Sequence, residues 1–254
     1  MENLFGRVLR TALHGKALVF YNNNLNRKGL NVLEIKTKKT LFIEDKIGMG
    51  FIEFEVFGEN QDHLVTLFQY GALILYKFSL EKMTQLRICS LNAKLQANLE
   101  EAYTLAVTKK GKYVVVNTVF NNQNLRLIVF ERKKENYLMM KAFLDLGGTM
   151  EGSQRINSIC LDEGYAGFLM INVLVEMTYQ SSVLVFCYDI EGNKLFCVKG
   201  AKLDDCGGRE CWKLVQNGDG FYTSGSNSVL ICCKYFFNSA VGGGNSRKGS
   251  LTLG

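Results

Sequence analysis

Short apolar runs separated by polar turns repeat along the chain with a period of about fifty residues. Most copies have three or four runs of roughly four to eight residues, rich in Val, Ile, Leu, Phe and Tyr. Equivalent positions in the leading runs, spaced by 52, 53 and 55 residues, are Phe54, Ala106, Ile159 and Leu214. A weaker copy, with residues 17–21 and 30–35 as its middle runs, precedes them. Apolar runs of this length with partial polar alternation predict half-buried β-strands.

The third copy shows the layout of one repeat. Its apolar runs cover residues 156–161, 167–175 and 182–188, and a charged turn at 189–194 leads to a fourth run at 195–198. Four short strands joined by tight turns predict one antiparallel sheet per copy. Only residues 91–104, with apolar side chains at Leu91, Leu95, Leu99 and Tyr103, predict a helix, and they fall between two copies.

Four-stranded sheets that repeat at this period are typical of β-propellers, in which each sheet covers the apolar face of the next. The layout resembles that of the WD40-like superfamily over most of the chain. Its motifs differ, because no Gly-His pair precedes a sheet, and Tyr188-Asp189 and Phe130-Glu131 stand where that superfamily has Trp-Asp. We therefore predict an all-β, propeller-like fold of about five blades, in a closed or an incomplete, open ring. A β-sandwich is the alternative.

The repeats predict a propeller-like domain over residues 1–240 and a flexible tail over residues 241–254. Leu251 and Leu253 in that tail could instead supply a last strand. The tail also places Ser250 three residues after Arg247, a spacing that resembles a basophilic kinase site, where a phosphate would reverse the local charge.

Composition narrows the class of protein. The 254 residues are 47% hydrophobic and contain no Pro, which excludes disordered, collagen-like and proline-rich chains. The net charge is +6, and the basic residues cluster at 36–39, 109–112, 132–134 and 247–248, beside apolar runs. We interpret these clusters as hairpin tips, with a basic face for nucleic acid or anionic lipid as the alternative.

The eight cysteines lack the secretory context that disulfides require. Charged residues interrupt the first twenty positions, so we expect an intracellular protein, cytoplasmic or nuclear, with a mitochondrial presequence as the alternative. No apolar run reaches the length of a membrane helix, and we predict no membrane insertion. A zinc site at Cys206, Cys211, Cys232 and Cys233 is disfavoured, since adjacent strand residues point to opposite faces.

Motifs for catalysis are equally sparse. Of the two histidines, His63 follows Asp62 at the start of a predicted strand, and no Gly-x-Ser-x-Gly motif accompanies it. The order Lys248-Gly249-Ser250 does not match a phosphate-binding loop. The sequence therefore predicts no catalytic, cofactor-binding or metal-ligating residue, and no cofactor.

These observations predict a non-catalytic scaffold that binds other proteins of a larger complex, and not an enzyme. The resemblance to WD40-like propellers implies this assembly role, because such folds carry their function in surface loops. The first alternative is a nucleic-acid or ribonucleoprotein-associated subunit that uses the basic loops, and it implies binding that weakens steeply with salt. The second alternative is an enzyme with an active site in the central channel, and it implies a small-molecule ligand that raises the melting temperature.

Overall fold

The computed structural model describes residues 9–24, 27–44, 50–68, 71–90, 99–120, 124–134, 137–146, 155–165, 167–176, 181–203, 211–216, 220–225, 230–238 and 250–253. These residues form twenty β-strands and one 3₁₀ turn at Leu13–Gly15, with no α-helix among them. The strands group into five antiparallel sheets of four strands. In each sheet, strands that follow one another in the chain are neighbours. The predicted all-β repeat of four-stranded sheets is therefore confirmed.

The chain divides into two units, Met1–Lys141 and Ala142–Gly254. The first unit holds three sheets, and the boundary between the units falls within the last strand of the third. The first sheet consists of β1 (Leu9–Ala12), β2 (Ala17–Asn24), β3 (Arg27–Glu34) and β4 (Thr40–Glu44). The second consists of β5 (Phe51–Phe57), β6 (His63–Phe68), β7 (Ala72–Phe78) and β8 (Met83–Ser90). The third consists of β9 (Leu99–Val107), β10 (Tyr113–Phe120), β11 (Asn124–Arg132) and β12 (Leu138–Asp145).

The second unit holds two sheets. The fourth sheet consists of β13 (Arg155–Tyr165), β14 (Phe168–Glu176), β15 (Ser181–Asp189) and β16 (Lys194–Leu203). The fifth consists of β17 (Cys211–Gln216), β18 (Gly220–Gly225), β19 (Leu230–Asn238) and β20 (Ser250–Leu253). The first strands β13 and β17 approach each other within this unit. Ser250–Leu253 form a last strand, the alternative to a flexible tail in the sequence-based prediction. Residues 241–249 lie outside the described part.

The core of the first unit lies between successive sheets. One cluster joins the first and second sheets through residues such as Val19, Phe54 and Ile74. Another joins the second and third sheets through residues such as Phe57 and Phe130. Inner strands are buried on both faces. In β7, for example, the first five of the seven residues are hydrophobic and buried. This double burial explains why the sequence alternates only partially.

Part of the predicted helix at residues 91–104 is wrong. Leu99–Val107 form strand β9, which pairs along its length with β10, while residues 91–98 lie outside the described part. Leu99 and Tyr103 mimic a helical spacing, but the strand contains a β-bulge that shifts its alternation. The basic clusters at 36–39 and 109–112 do lie in hairpin turns, as predicted.

Candidate functional site

Three first strands converge in the first unit, since β5 approaches both β1 and β9. Each contributes polar side chains to one group, which we call the Glu53 cluster: Arg10 from β1, Glu53 and Glu55 from β5, and Thr104 from β9. Glu53 and Glu55 are two positions apart on a strand and therefore face the same side. The cluster thus brings together residues from three different sheets.

Arg10 binds both carboxylates of the cluster. Its Nε donates to Glu55 Oε2 at 2.9 Å and its Nη2 donates to Glu55 Oε1 at 2.5 Å, so the Arg10–Glu55 ion pair is bidentate. The same Nη2 donates to Glu53 Oε1 at 3.3 Å. The Arg10 Cζ atom also lies 5.9 Å from the centroid of the Phe54 ring. These contacts fix the guanidinium in one orientation beside Glu53.

Glu53 is held from the opposite side by the third sheet. Its Oε2 accepts hydrogen bonds from Thr104 Oγ1 at 2.5 Å and from the Leu105 backbone N–H at 3.2 Å. The side chains of Arg10 and Glu53 are 18% and 20% exposed, so solvent reaches them although most of their surface is covered. Glu53 therefore has a fixed carboxylate on a side chain that solvent reaches in part.

The pKa of Glu53 is raised above the ordinary glutamate value. Burial is the largest cause, because it disfavours the charged form, and the Glu55 carboxylate adds to it by like-charge repulsion. Hydrogen bonds from Thr104 and Leu105 and the charge of Arg10 act in the opposite direction without cancelling the rise. A carboxyl group with a raised pKa is better matched to proton transfer near neutral pH than an ordinary glutamate.

Two β-bulges lie next to the acid and the hydroxyl of the cluster. In β5, Phe51 pairs with Phe68 but Glu53 pairs with Leu67, which leaves one extra residue on β5 immediately before Glu53. In β9, a similar shift places one extra residue immediately before Thr104. Because bulges redirect side chains and occur often beside active sites, they explain how both residues reach the same point.

The polar environment continues onto strand β10. Asn117 lies opposite Thr104 in the register of β9 and β10, is fully buried, and donates its side-chain N–H to the Arg126 carbonyl at 3.4 Å. Its Oδ1 and the neighbouring Thr118 Oγ1 are buried without a hydrogen-bond partner among the described residues. Buried polar atoms of this kind are unusual; Asn117 is paired with Thr104, and Thr118 is paired with Ala102 on the other side of the bulge.

The structure places His63 at the start of β6, as predicted. Its Nδ1 lies 2.8 Å from Asp62 Oδ1, and its ring lies 5.4 Å from the Phe57 ring, centroid to centroid. Lys77 Nζ is 4.0 Å from the other oxygen of Asp62. The pair is a hydrogen-bonded strand end.

The cysteines considered as zinc ligands are not tested. Cys206 lies outside the described residues, and so do the side chains of Cys211, Cys232 and Cys233. Within the described part, no group of His, Cys, Asp and Glu side chains is placed to hold a metal ion. Cys187 is buried, and this burial, with the nearby Asp189 charge, raises the pKa of its thiol to about 12.

Sequence reasoning did not single out any residue of the Glu53 cluster. Arg10 is separated from Glu53 by 43 positions, and Glu53 from Thr104 by 51, so no local motif joins them. The one available signal is the pair of acids at alternate positions of an otherwise apolar strand, Phe51–Phe57. Two carboxylates on the same face of a strand that packs into a core need cationic or hydrogen-bonding partners.

Comparison with known proteins shows the fold. No family model matches the chain, and no curated protein matches its sequence. Among solved structures, the periplasmic gluconolactonase of Pseudomonas aeruginosa is similar with a TM-score of 0.55 and 14% identity, over 88% of this chain and 55% of that one. A Bacteroides fragilis protein provisionally named a 6-phosphogluconolactonase gives 0.55 and 12%, over 78% and 55%. The β-propeller domain of Myceliophteria thermophila Cps50 (Swd1) gives 0.54 and 10%, over 86% and 65%.

The fold is therefore of the β-propeller class, and the finer likeness to WD40-like proteins is not distinguished from other propellers. The chain spans 55% of the length of each of the two lactonase structures. At these identities the likeness concerns the fold alone.

Two sequence-based predictions are corrected by these neighbours: that the chain is a non-catalytic scaffold or nucleic-acid-associated subunit, and that it is not an enzyme. Structures named for lactonase activity share the fold, and one of them is a gluconolactonase. The inference failed because it took the lack of local motifs as a lack of polar constellations. The repeat assembles such a constellation from residues on separate sheets.

No helix in the described part of the chain has the length and hydropathy to cross a membrane.

Proposed function

We propose that this chain is a hydrolase that opens lactones, the cyclic esters of sugar acids, at the Glu53 cluster. The observation that carries the proposal is the partly exposed carboxylate of Glu53, which has a raised pKa and is fixed between Arg10 and Thr104. The likeness of the fold to gluconolactonase structures supports this class of substrate.

Glu53 acts as the general base in this reaction. Its carboxylate takes a proton from a water molecule while the water oxygen attacks the carbonyl carbon of the lactone. The electron pair of the C=O bond moves to the carbonyl oxygen. When the tetrahedral intermediate collapses, the bond between the carbonyl carbon and the ring oxygen breaks, and the ring oxygen takes the proton from Glu53. Water is the only co-reactant, and the product is a hydroxy acid that releases one proton to the solvent.

Arg10 stabilises the negative charge that develops on the carbonyl oxygen. Its guanidinium is always protonated and already lies beside Glu53, held by two hydrogen bonds to Glu55. Such preorganised donors act on the transition state without having to reorient. Thr104 and the Leu105 N–H bind Glu53 Oε2 and so position the carboxylate, leaving Oε1 on the Arg10 side.

The first test is hydrolysis of glucono-δ-lactone, its 6-phosphate and a γ-lactone by the purified full chain, followed by proton release at constant pH. We expect a rate above the spontaneous reaction for at least one lactone. Arg10→Lys retains the charge but loses the planar fork, and we expect kcat/KM to fall by about 100-fold. Circular dichroism spectra must show that the variant is folded. The proposal would be contradicted if all three lactones were hydrolysed no faster with the protein than without it. It would also be contradicted if the Arg10→Lys variant kept the activity of the unaltered chain.

A further inference from the structure

A cavity of about 580 Å³ lies between the first and second sheets, on strands that the Glu53 cluster does not use. Its lining comes from β2, β3 and β4 on one side and from β6, β7 and β8 on the other. The side chains that matter most are the four aromatic rings and one acid, Tyr21, Phe42, Phe68, Tyr76 and Glu44. Cavities of this size are typical of small-molecule sites.

The aromatic walls are held in place by contacts behind them. The Tyr21 ring stacks on Phe51 with centroids 4.0 Å apart and planes 8° from parallel. Phe51 also meets Phe68 edge to face, with centroids 6.1 Å apart. Phe51 therefore supports two rings that line the cavity.

The position of Phe42 depends on a glycine in the neighbouring strand. A Cβ atom at Gly29 would lie 2.9 Å from Phe42 Cε2 and would overlap the Ile43 carbonyl oxygen. Gly29 pairs with Glu44 in the register of β3 and β4, so the glycine lies beside both Phe42 and the acid. The absence of a side chain at residue 29 is what allows the Phe42 ring to lie across the strand.

Charge selects the ligand that this cavity fits. Glu44 is the one charged residue among the described side chains that line it, although the whole chain carries a net charge of +6. Glu44 is exposed and makes no ion pair with a described residue. The faces of aromatic rings carry partial negative charge and attract cations, most strongly bulky ones that lose little hydration. Among the described residues that line the cavity, an anion would meet a carboxylate and no basic side chain.

We propose that this cavity binds a small organic cation with a quaternary or highly substituted ammonium group. The ammonium group lies against the aromatic rings, and Glu44 at the rim supplies the opposite charge. Aromatic rings and an acid are the groups with which proteins recognise quaternary ammonium ions, and the rings of Tyr21, Phe68 and Tyr76 line this cavity with 3–6% of their surface exposed. This inference does not depend on the proposed hydrolase activity, because the residues of the two sites do not overlap.

The test compares choline with 3,3-dimethylbutan-1-ol, which has the same shape without the charge. Binding to the full chain is measured by titration calorimetry at low salt. We expect choline to bind about tenfold more tightly than the neutral alcohol. Equal affinities, tighter binding of the alcohol, or no binding of either compound would overturn the proposal.

Two variants locate the binding and one serves as a control. Glu44→Gln removes the charge at an exposed position and is expected to weaken choline binding about three- to tenfold, with little change for the alcohol. Phe42→Leu keeps an apolar wall but removes a ring, and it is expected to reduce the preference for the cation. Glu59→Gln makes the same chemical change at an exposed site in the turn after β5, outside the cavity, and should leave choline binding unchanged. Unchanged cation preference in Glu44→Gln and Phe42→Leu would contradict the assignment.

Discussion

Replacing Glu53 with glutamine is expected to lower kcat/KM for lactone hydrolysis by about 10²- to 10⁴-fold, the usual contribution of a general base. The glutamine amide oxygen can still accept the hydrogen bonds that Thr104 and Leu105 now donate to the carboxylate. It cannot take a proton from water. Because the charge on Arg10 and its pairing with Glu55 remain, we expect a loss in kcat with a small change in KM.

The control for this variant is Glu59→Gln, which alters an exposed acid in the turn between β5 and β6 and should retain the activity of the unaltered chain. Circular dichroism and a melting curve establish that both proteins are folded. A Glu53→Gln protein that is folded and keeps more than a third of the activity would exclude Glu53 as the base. Equal losses in the two variants would point to a general effect of charge.

Replacing Gly111 with alanine is expected to destabilise the chain by about 2–5 kcal/mol, the sum of left-handed backbone strain and overpacking. Gly111 has a φ of +71°, and an added Cβ would overlap the ring of Phe57, which is 2% exposed. The ring cannot move away freely because Arg132 Cζ lies 5.1 Å from its centroid, while Arg132 Nε donates to the Gly111 carbonyl at 2.8 Å.

Gly15→Ala provides the matched control for Gly111→Ala. Gly15 belongs to the same unit and has a φ of +81°, but an added Cβ would meet no atom within 4 Å. We expect it to cost about 1–2 kcal/mol from backbone strain alone. Unfolding in urea should be followed by circular dichroism, since the one tryptophan, Trp212, lies in the second unit. Equal losses in the two variants would show that the Phe57 contact contributes nothing.

Much of the fold was predictable because strand patterning is local. The runs at 63–68 and 72–78 coincide with β6 and β7, and the turn at 189–194 is closed by Asp189, whose Oδ1 accepts the Glu191 and Gly192 N–H groups. The part of the predicted helix at residues 99–104 failed because apolar positions four apart, Leu99 and Tyr103, can fit either period when a bulge interrupts a strand. The domain limits at residues 240 and 241 and the kinase site at Ser250 stay predictions.

The candidate site was not predictable for a different reason. Its members are far apart in the sequence. Arg10 and Glu55, which are hydrogen-bonded, are separated by 45 positions, and Thr104 and Glu53 by 51. Two bulges then set the direction of Glu53 and Thr104, and a one-residue shift in a strand reverses the face on which a side chain lies. The register of three sheets is needed before the cluster can be recognised.

The pH dependence of kcat/KM tests the central claim most directly, because it reports the pKa of the base in the free enzyme. If Glu53 is that base, activity is lost as the pH falls through its raised pKa. Glu55 raises this pKa by like-charge repulsion, whereas the Thr104 hydrogen bond lowers it. Removing the Glu55 charge and removing the Thr104 hydroxyl should therefore move the acidic limb of the profile in opposite directions.

The measurement is the pH profile of lactone hydrolysis for the unaltered chain, Glu55→Gln and Thr104→Val. We expect the acidic limb to move to lower pH in Glu55→Gln, because the repulsion that raises the pKa of Glu53 is gone. We expect it to move to higher pH in Thr104→Val, because a hydrogen bond to the charged form is lost. Limbs that stay in place, or that move in the same direction in both variants, would contradict the assignment of Glu53 as the base.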